Sequence, residues 1–183
     1  MSSFISFNEF NRLIKKSFKK KINTIATVQI FSALFFIIYT YTSYEIYARS
    51  PIVIIWIITI CIFSDTGGYV IGKLVGGKKL TKISPNKTIA GSVGSFIFSL
   101  IPLIFLSLTN EIYNDINLAQ LFIVSLILSL ICQAGDLLIS YFKRKAKVKD
   151  TGSILPGHGG LLDRIDGLIF VLPSAFLIDK IIF

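Results

Sequence analysis

Hydrophobic residues along this chain gather into long runs that short polar stretches separate. Each run is near the roughly 20 residues that a helix needs to cross a bilayer. The runs cover Ile22–Tyr41, Pro51–Val70, Ser92–Leu108, Leu118–Tyr141 and Gly167–Phe183. This pattern predicts an all-α, polytopic integral membrane protein with about five transmembrane helices and polar loops that carry the chemistry. We expect one membrane-embedded domain over residues 22–183, preceded by a basic, interfacial N-terminal arm over residues 1–21.

Composition and charge refine this prediction. The chain has 183 residues, 53% of them hydrophobic, and a mean hydropathy of +0.73, which is too apolar for an ordinary soluble domain. The formal charge of +9 raises the question of nucleic acid. However, 17 of the 19 Lys and Arg residues fall in three clusters, 12–21, 73–87 and 143–164, that alternate with the apolar runs. That arrangement is typical of cytoplasmic membrane-protein loops and not of a groove along a phosphate backbone, so we expect no nucleic-acid partner.

The same asymmetry predicts an orientation. With the basic arm in the cytoplasm, the loop Thr42–Ser50 lies outside, as does the acidic loop with Glu111 and Asp115. The two remaining basic loops lie inside, and the C-terminus lies outside. The basic N-terminus leads into an apolar run without a small-residue cleavage site, so we expect no cleavable signal peptide.

The N-terminal arm has an amphipathic composition. Its apolar residues could form one face of an interfacial helix beside a lysine cluster; they are Phe4, Ile5, Phe7, Phe10, Leu13, Ile14 and Phe18. The lysines are Lys15, Lys16, Lys19, Lys20 and Lys21. A topology anchor attracted to anionic lipid is the simpler interpretation, and a role in substrate binding is the alternative.

An aspartate lies inside the fourth apolar run, where a charge costs about 2.5–3.5 kcal/mol on insertion scales and therefore indicates function. This is Asp136, in Q-A-G-D-L-L-I-S. If the helix continues beyond the membrane surface, Ser140, Lys143 and Arg144 follow Asp136 at i+4, i+7 and i+8, on the same face. That face would present a carboxylate, a hydroxyl and two cations suited to phosphate.

Two further aspartates open the fifth run. Asp163 and Asp166 are spaced i, i+3, so their carboxylates share a helix face. They could simply be first-turn acids that interact favourably with the positive end of the helix dipole. Together with Asp136, however, they would supply three carboxylates from two adjacent helices, which is an oxygen site suited to Mg²⁺ with substrate phosphates completing its coordination.

The segment between these helices reads P-G-H-G-G, from Pro156 to Gly160. Its glycines allow close backbone approach, and it leads into a helix N-terminus, where anions are favoured. His158 is interpreted as a phosphate ligand or general acid, with a plain turn residue as the alternative. Lys149 and Asp150 could pair locally, or Lys149 could contact substrate directly.

These residues together resemble a known signature. The run S-x-x-K-R-x-x-x-x-K-D-x-G-x-x-x-P-G-H-G-G-x-x-D-R-x-D, from Ser140 to Asp166, is similar to that of the phosphatidate cytidylyltransferases, also called CDP-diacylglycerol synthases. A second block resembles D-T-G-A-Y…G…S-P-K-K-T-x-E-G of that family, and departs from it at Gly68, Asn86 and Ala90. The resemblance runs from about Pro51 to the C-terminus. The chain is shorter than typical members, so the family's additional N-terminal helices are expected to be missing.

The resemblance implies a reaction in which phosphatidate attacks the α-phosphorus of CTP, giving CDP-diacylglycerol and pyrophosphate. It implies Mg²⁺, with a second cation left open, held by Asp136, Asp163 and Asp166. The resemblance assigns phosphates to Lys143, Arg144 and Arg164 and places His158 and the glycine turn near the triphosphate. Its other implied site residues are Ser140, Lys149, Asp150, Asp65, Ser84, Pro85, Lys87, Thr88, Gly157, Gly159 and Gly160. It also implies the bacterial inner membrane, a site facing the cytoplasm and contact with membrane lipid, and it leaves a homodimer open.

Two other classes of function stay open at this point. One is a related membrane enzyme that uses CTP, such as a polyprenol or phytol kinase, or a synthase acting on ether lipids. The kinases would not be expected to carry the whole P-G-H-G-G-x-x-D-R-x-D run. The other is a non-catalytic membrane protein that retains the motif. Against this interpretation, acidic residues at a membrane surface are costly and are rarely found there without a function.

Overall fold

The computed structural model describes residues 2–18, 22–81, 83–108, 117–153 and 159–182. Within these residues the chain is helical, and the helices are α1 (Ser2–Ser17), α2 (Ile22–Arg49), α3 (Pro51–Val75), α4 (Ile89–Phe98), α5 (Ile101–Leu108), α6 (Leu118–Lys145), α7 (Leu162–Ile165) and α8 (Leu168–Ile182). No strand forms in these ranges, and an isolated β-bridge joins Lys79 to Thr88 in the loop between α3 and α4. The all-α prediction is confirmed.

Three of these helices are long and apolar enough to cross a membrane, over residues 25–49, 51–75 and 118–145. They confirm a polytopic membrane protein. The other two predicted spans are shorter than predicted, because Ser92–Leu108 is divided between α4 and α5, and the fifth run forms the 15-residue α8. The break has a local cause. The Ser99 hydroxyl donates to the Phe96 carbonyl at 2.8 Å, and Leu100 N donates to Ile97 O at 3.3 Å, so a tight turn replaces the helix ladder.

Thr42–Ser50 was predicted as a loop on the outer side, and the loop conformation is wrong, because α2 continues to Arg49 and only Ser50 separates it from α3. Thr42 lies within this helix, and its hydroxyl donates to the Ile38 carbonyl at 2.8 Å. Pro51, the first residue of α3, cannot continue the preceding helix.

The core of the bundle lies between α2, α3, α6 and α8. Its most buried side chains are Ile57, Ile60, Leu128, Ile139 and Ile169, none more than 1% exposed. Helices α3 and α4 pack most closely, because glycines face each other. A Cβ atom on Gly94 would lie 2.7 Å from the Gly67 carbonyl oxygen. Small residues that let backbones approach are typical of helix packing in membranes.

Helix α1 confirms that the N-terminal arm is helical, and its apolar face packs on the bundle. The Phe7 ring lies 5.7 Å from that of Phe36 in α2, and the Phe10 ring lies 5.7 Å from that of Phe142 in α6. Phe4 stays 70% exposed. Part of the face predicted to meet lipid is therefore used within the protein; Lys19–Lys21 lie outside the described residues.

Candidate functional site

Asp136 of α6 and Asp166, at the junction of α7 and α8, form a carboxylate pair. Both helices carry a glycine where they cross: a Cβ on Gly135 would lie 3.1 Å from the Asp166 carbonyl oxygen, and one on Gly167 would lie 2.6 Å from Cys132 Sγ. This close approach lets the two carboxyl groups share a hydrogen bond. The structure thus brings together two of the three carboxylates that the sequence predicts as metal ligands.

The carboxyl group of Asp166 lies outside the membrane-spanning segments and is strongly perturbed. Burial, the charge of Asp136 and their mutual hydrogen bond together raise the pKa of Asp166 to about 8. A proton on Asp166 therefore relieves the repulsion between the two groups. A divalent cation between them would favour the ionised form of both and have the same effect.

A cleft of about 290 Å³ opens beside Asp136. Its polar lining comes from α3, α4, α6 and the α3–α4 loop, and includes Asp65, Ser84, Lys87, Thr88, Ser92 and Gln133. The loop is closed by hydrogen bonds from Leu80 N to Lys87 O at 2.8 Å and from Ile89 N to Lys78 O at 3.0 Å. This closure carries the Lys87 ammonium onto the Asp136 carboxylate, where the two form an ion pair. Residues of the second family-like block therefore meet Asp136 at this cleft, and Asp136 in turn pairs with Asp166 of the first block.

Asp163 lies in a different set of contacts. One carboxylate oxygen accepts from Lys143 Nζ at 3.0 Å, and the other accepts from Thr151 N at 2.8 Å and Gly160 N at 2.9 Å. Burial acts to raise the pKa of Asp163, but the bonds from Thr151, Gly160 and Lys143 outweigh it and lower that pKa. Both oxygens therefore already have donors, and two of these donors are backbone N–H groups.

Glu9 of α1 completes the same region and was not found by sequence reasoning. It is 2% exposed, and its oxygens accept from Leu161 N at 3.2 Å and Leu162 N at 2.7 Å. We call Glu9 and Asp163, together with the donors Thr151, Gly160, Leu161 and Leu162, the loop anchor. The sequence predicted an anion at the glycine turn and the start of the following helix. In the structure, the N–H groups of Gly160, Leu161 and Leu162 bind the protein's own carboxylates.

The remaining predicted residues are dispersed around these two regions. Ser140 Oγ lies 3.4 Å from Asp136 Oδ1, and Thr88 Oγ1 accepts from Gly91 N at 3.0 Å, which caps α4. Gly159 has a φ of +83°, which favours glycine, and lies beside Asp150. The exposed members of the set are Pro85, Arg144, Lys149, Asp150 and Arg164. Gly157 and His158 lie outside the described residues.

Gln133 is a second residue that sequence reasoning passed over. It lies in α6 and lines the cleft with Asp136, and its Oε1 accepts from the Ser92 hydroxyl at 2.5 Å, tying α4 to α6. Its signal in the sequence was a polar amide three residues before an intramembrane aspartate, which could have marked Gln133 as a site residue. Glu9 offered a weaker one, as an acid within a basic arm.

The carboxylate pair offers oxygen ligands suited to Mg²⁺, which is usually bound through one or two carboxylates and substrate phosphates. No three acidic, His or Cys side chains within the described ranges are arranged to enclose an ion. An ion at Asp136 and Asp166 would therefore have to be shared between protein and substrate rather than enclosed by protein alone. Lys87 and Lys143 flank this position with positive charge.

Comparisons with known proteins identify the family of the chain. The model of the cytidylyltransferase family matches residues 1–182. A phosphatidate cytidylyltransferase of Staphylococcus saprophyticus is 53% identical over 114 residues, which are 60% of this chain and 42% of that protein. One from Staphylococcus aureus is 48% identical over 128 residues, 69% of this chain and 46% of the relative. The chain thus spans less than half the length of these relatives. Because the family model covers nearly every residue, the chain belongs to the cytidylyltransferase family.

Proposed function

We propose that this protein transfers a cytidylyl group from CTP to phosphatidate, forming CDP-diacylglycerol and pyrophosphate at a membrane. The observation that carries the proposal is the carboxylate pair, which lies beside a cleft lined by Lys87 and by hydroxyl and amide groups. The similarity to two phosphatidate cytidylyltransferases supports the choice of substrates.

The reaction needs charge neutralisation more than a strong base, since the attacking phosphate is already ionised. A phosphatidate oxygen forms a bond to the α-phosphorus of CTP, and the bond from that phosphorus to the bridging oxygen breaks. Pyrophosphate leaves with the electron pair. Lys87 at the cleft and Arg144 near the end of α6 would bind phosphate oxygens during this exchange, and the cleft would hold part of the nucleotide.

Asp136 and Asp166 would hold Mg²⁺, which supplies positive charge to the reacting phosphates. Asp163 would act through its hydrogen bonds, by fixing the segment before α7 and by orienting Lys143. This division changes the expected ligand set from three aspartates to two. A second cation and a role for His158 stay predictions.

The direct test uses purified protein in detergent with CTP, phosphatidate and Mg²⁺. Label from α-³²P-CTP is expected to enter the lipid fraction. Asp136→Asn and Asp166→Asn should lose this transfer, whereas Asp179→Asn, at the opposite end of the bundle beside Arg49, should retain it. Label that enters the lipid only from γ-³²P-CTP would indicate a kinase, and label from neither position would indicate a non-catalytic protein.

The proposal places the site at the cytoplasmic face of the bacterial inner membrane, in keeping with the basic loops. Arg49 Nη1 lies 2.7 Å from Asp179 Oδ2, so the C-terminal ends of α2 and α8 lie together. In a background without Cys61 and Cys132, an impermeant thiol reagent applied to intact cells should label Ser50→Cys and leave Lys147→Cys unlabelled. The reverse labelling would contradict this orientation. A homodimer also stays a prediction, which cross-linking in the membrane would test.

A further inference from the structure

The loop anchor contains an acid whose burial calls for an explanation. Glu9 lies on a helix with three basic residues, Arg12, Lys15 and Lys16, in its C-terminal half, yet it points into the protein and is 2% exposed. Burying a carboxylate is costly unless it is well bonded. Glu9 meets this condition through the backbone N–H groups of Leu161 and Leu162, with Thr151 Oγ1 at 3.3 Å.

The fit between Glu9 and the loop depends on two glycines. A Cβ on Gly160 would lie 2.6 Å from Glu9 Oε2, and a Cβ on Gly152 would collide with Glu9 Oε1. Side chains at these positions would push the carboxylate off the backbone N–H groups. Gly152 and Gly160 of the signature therefore leave the space that the Glu9 carboxylate occupies.

Glu9 is connected to the proposed site by two short routes. Thr151 Oγ1 lies between the two carboxylates of the loop anchor, 3.3 Å from Glu9 Oε2 and 3.0 Å from Asp163 Oδ2. Its hydroxyl can donate to one of them at a time. Leu162, which Glu9 holds through its N–H, begins α7, and α7 leads directly to Asp166. A shift of α7 would therefore move Asp166 relative to Asp136.

We propose that Glu9 is a positioning residue: its carboxylate fixes the start of α7 and thereby sets the distance between Asp136 and Asp166. The inference rests on the proposed function for its effect on turnover. It gives the N-terminal helix a second role beside that of membrane anchor. Since Glu9 touches neither the cleft nor the carboxylate pair, its effect is on the geometry of the site and not on substrate contact.

The opposite interpretation is that Glu9 occupies a place that a substrate phosphate takes during the reaction. In that case the carboxylate would compete with substrate, and its removal would lower KM for CTP or raise turnover. The two interpretations therefore predict opposite changes.

The first measurement is hydrogen exchange of the amides of Leu161 and Leu162 in detergent-solubilised protein. Glu9→Gln, which keeps one carbonyl acceptor, should raise their exchange at least about tenfold, and Glu9→Ala should raise it further. Gly152→Ala, which displaces the carboxylate without removing it, should reproduce the effect of Glu9→Gln. Asn8→Ala, an exposed neighbour on α1, should change nothing. Unchanged exchange in the Glu9 variants would overturn the inference.

The second measurement is turnover with α-³²P-CTP. Glu9→Gln and Gly152→Ala should lower kcat about tenfold and raise the Mg²⁺ concentration for half-activation, with KM for CTP nearly unchanged. A lower KM or a higher kcat would overturn the inference in favour of competition with phosphate. If the wild-type protein transfers no label, the proposed function fails, and the exchange measurement still decides whether Glu9 holds the loop.

Discussion

The carboxylate pair and the loop anchor each place two acids close to the C-terminal end of α6 and the start of α8, but different sets of contacts stabilise them. In the loop anchor, backbone N–H groups, a hydroxyl and Lys143 bond the carboxylates of Glu9 and Asp163. In the pair, Asp136 and Asp166 face each other. Asp136 also pairs with Lys87 and accepts from the Ser140 hydroxyl, and Asp166 accepts from Gly167 N.

The difference indicates which acids are available for chemistry. A carboxylate whose lone pairs are filled by fixed donors has little left to offer a ligand, whereas two opposed carboxylates are stabilised by any added proton or cation. The pH behaviour follows the same division, because the pKa of Asp163 is lowered and that of Asp166 is raised. Signature aspartates only three residues apart thus have different environments.

The largest effect should come from breaking the carboxylate pair. Asp136→Asn and Asp166→Asn each keep shape but remove charge, and we expect transfer from CTP to fall at least roughly 100-fold. The thermal midpoint in detergent should stay near that of the wild type, because removing one of two repelling acids costs little packing. Near-normal turnover of both variants at limiting Mg²⁺ would contradict the metal assignment.

Asp163→Asn should instead act mainly on stability. Its amide cannot accept all the bonds that the carboxylate accepts, so the free energy of unfolding should fall by about 2 kcal/mol, measured by denaturation in detergent. The pKa of Asp163 is lower in the folded protein than in the unfolded chain. Its stabilising contribution is therefore present above about pH 4, the usual value for aspartate, and is lost as the pH falls through the folded pKa.

A control for this variant is Asp179→Asn, whose ion pair is exposed and should contribute well under about 1 kcal/mol. Wild type and Asp163→Asn should converge in stability as the pH is lowered. A difference that does not shrink at low pH would show that Asp163 acts through packing and not through its charge.

Lys87→Gln tests the contact between the α3–α4 loop and α6. Lys87 pairs with Asp136 and lines the cleft, so its loss should raise KM for CTP about tenfold while the fold is kept. Steady-state kinetics over a range of CTP concentrations would measure this. An unchanged KM would place the nucleotide away from this cleft.

Arg144→Lys should have the smallest effect of the set. The guanidinium lies exposed near the end of α6, and exchanging its planar fork for a point charge should raise KM for a phosphate-bearing substrate about threefold. Lys147→Arg, an exposed cation on the same surface, is the matched control and should change nothing. Equal effects of the two would reduce the role of Arg144 to general surface charge.

Sequence reasoning predicted most of the helices and singled out Asp136, which the structure places at the cleft. Apolar runs of membrane length predicted α2, α3 and α6, because the bilayer requires that length and composition. An aspartate within such a run identified Asp136, since a charge there is costly. The predicted third span failed, because the hydroxyl of Ser99 favours a turn that hydropathy does not register.

The sequence by itself determined the residue types at the site, since the signature supplies its aspartates, cations and glycines. Only the tertiary structure decided how they divide: the glycine crossing of α6 and α8 pairs Asp136 with Asp166, while Asp163 turns to the loop. It also recruited Glu9, more than 150 residues away along the chain. Spacing along one helix reports which residues share a face, but a contact between distant segments depends on how closely backbones approach, and packing alone sets that distance.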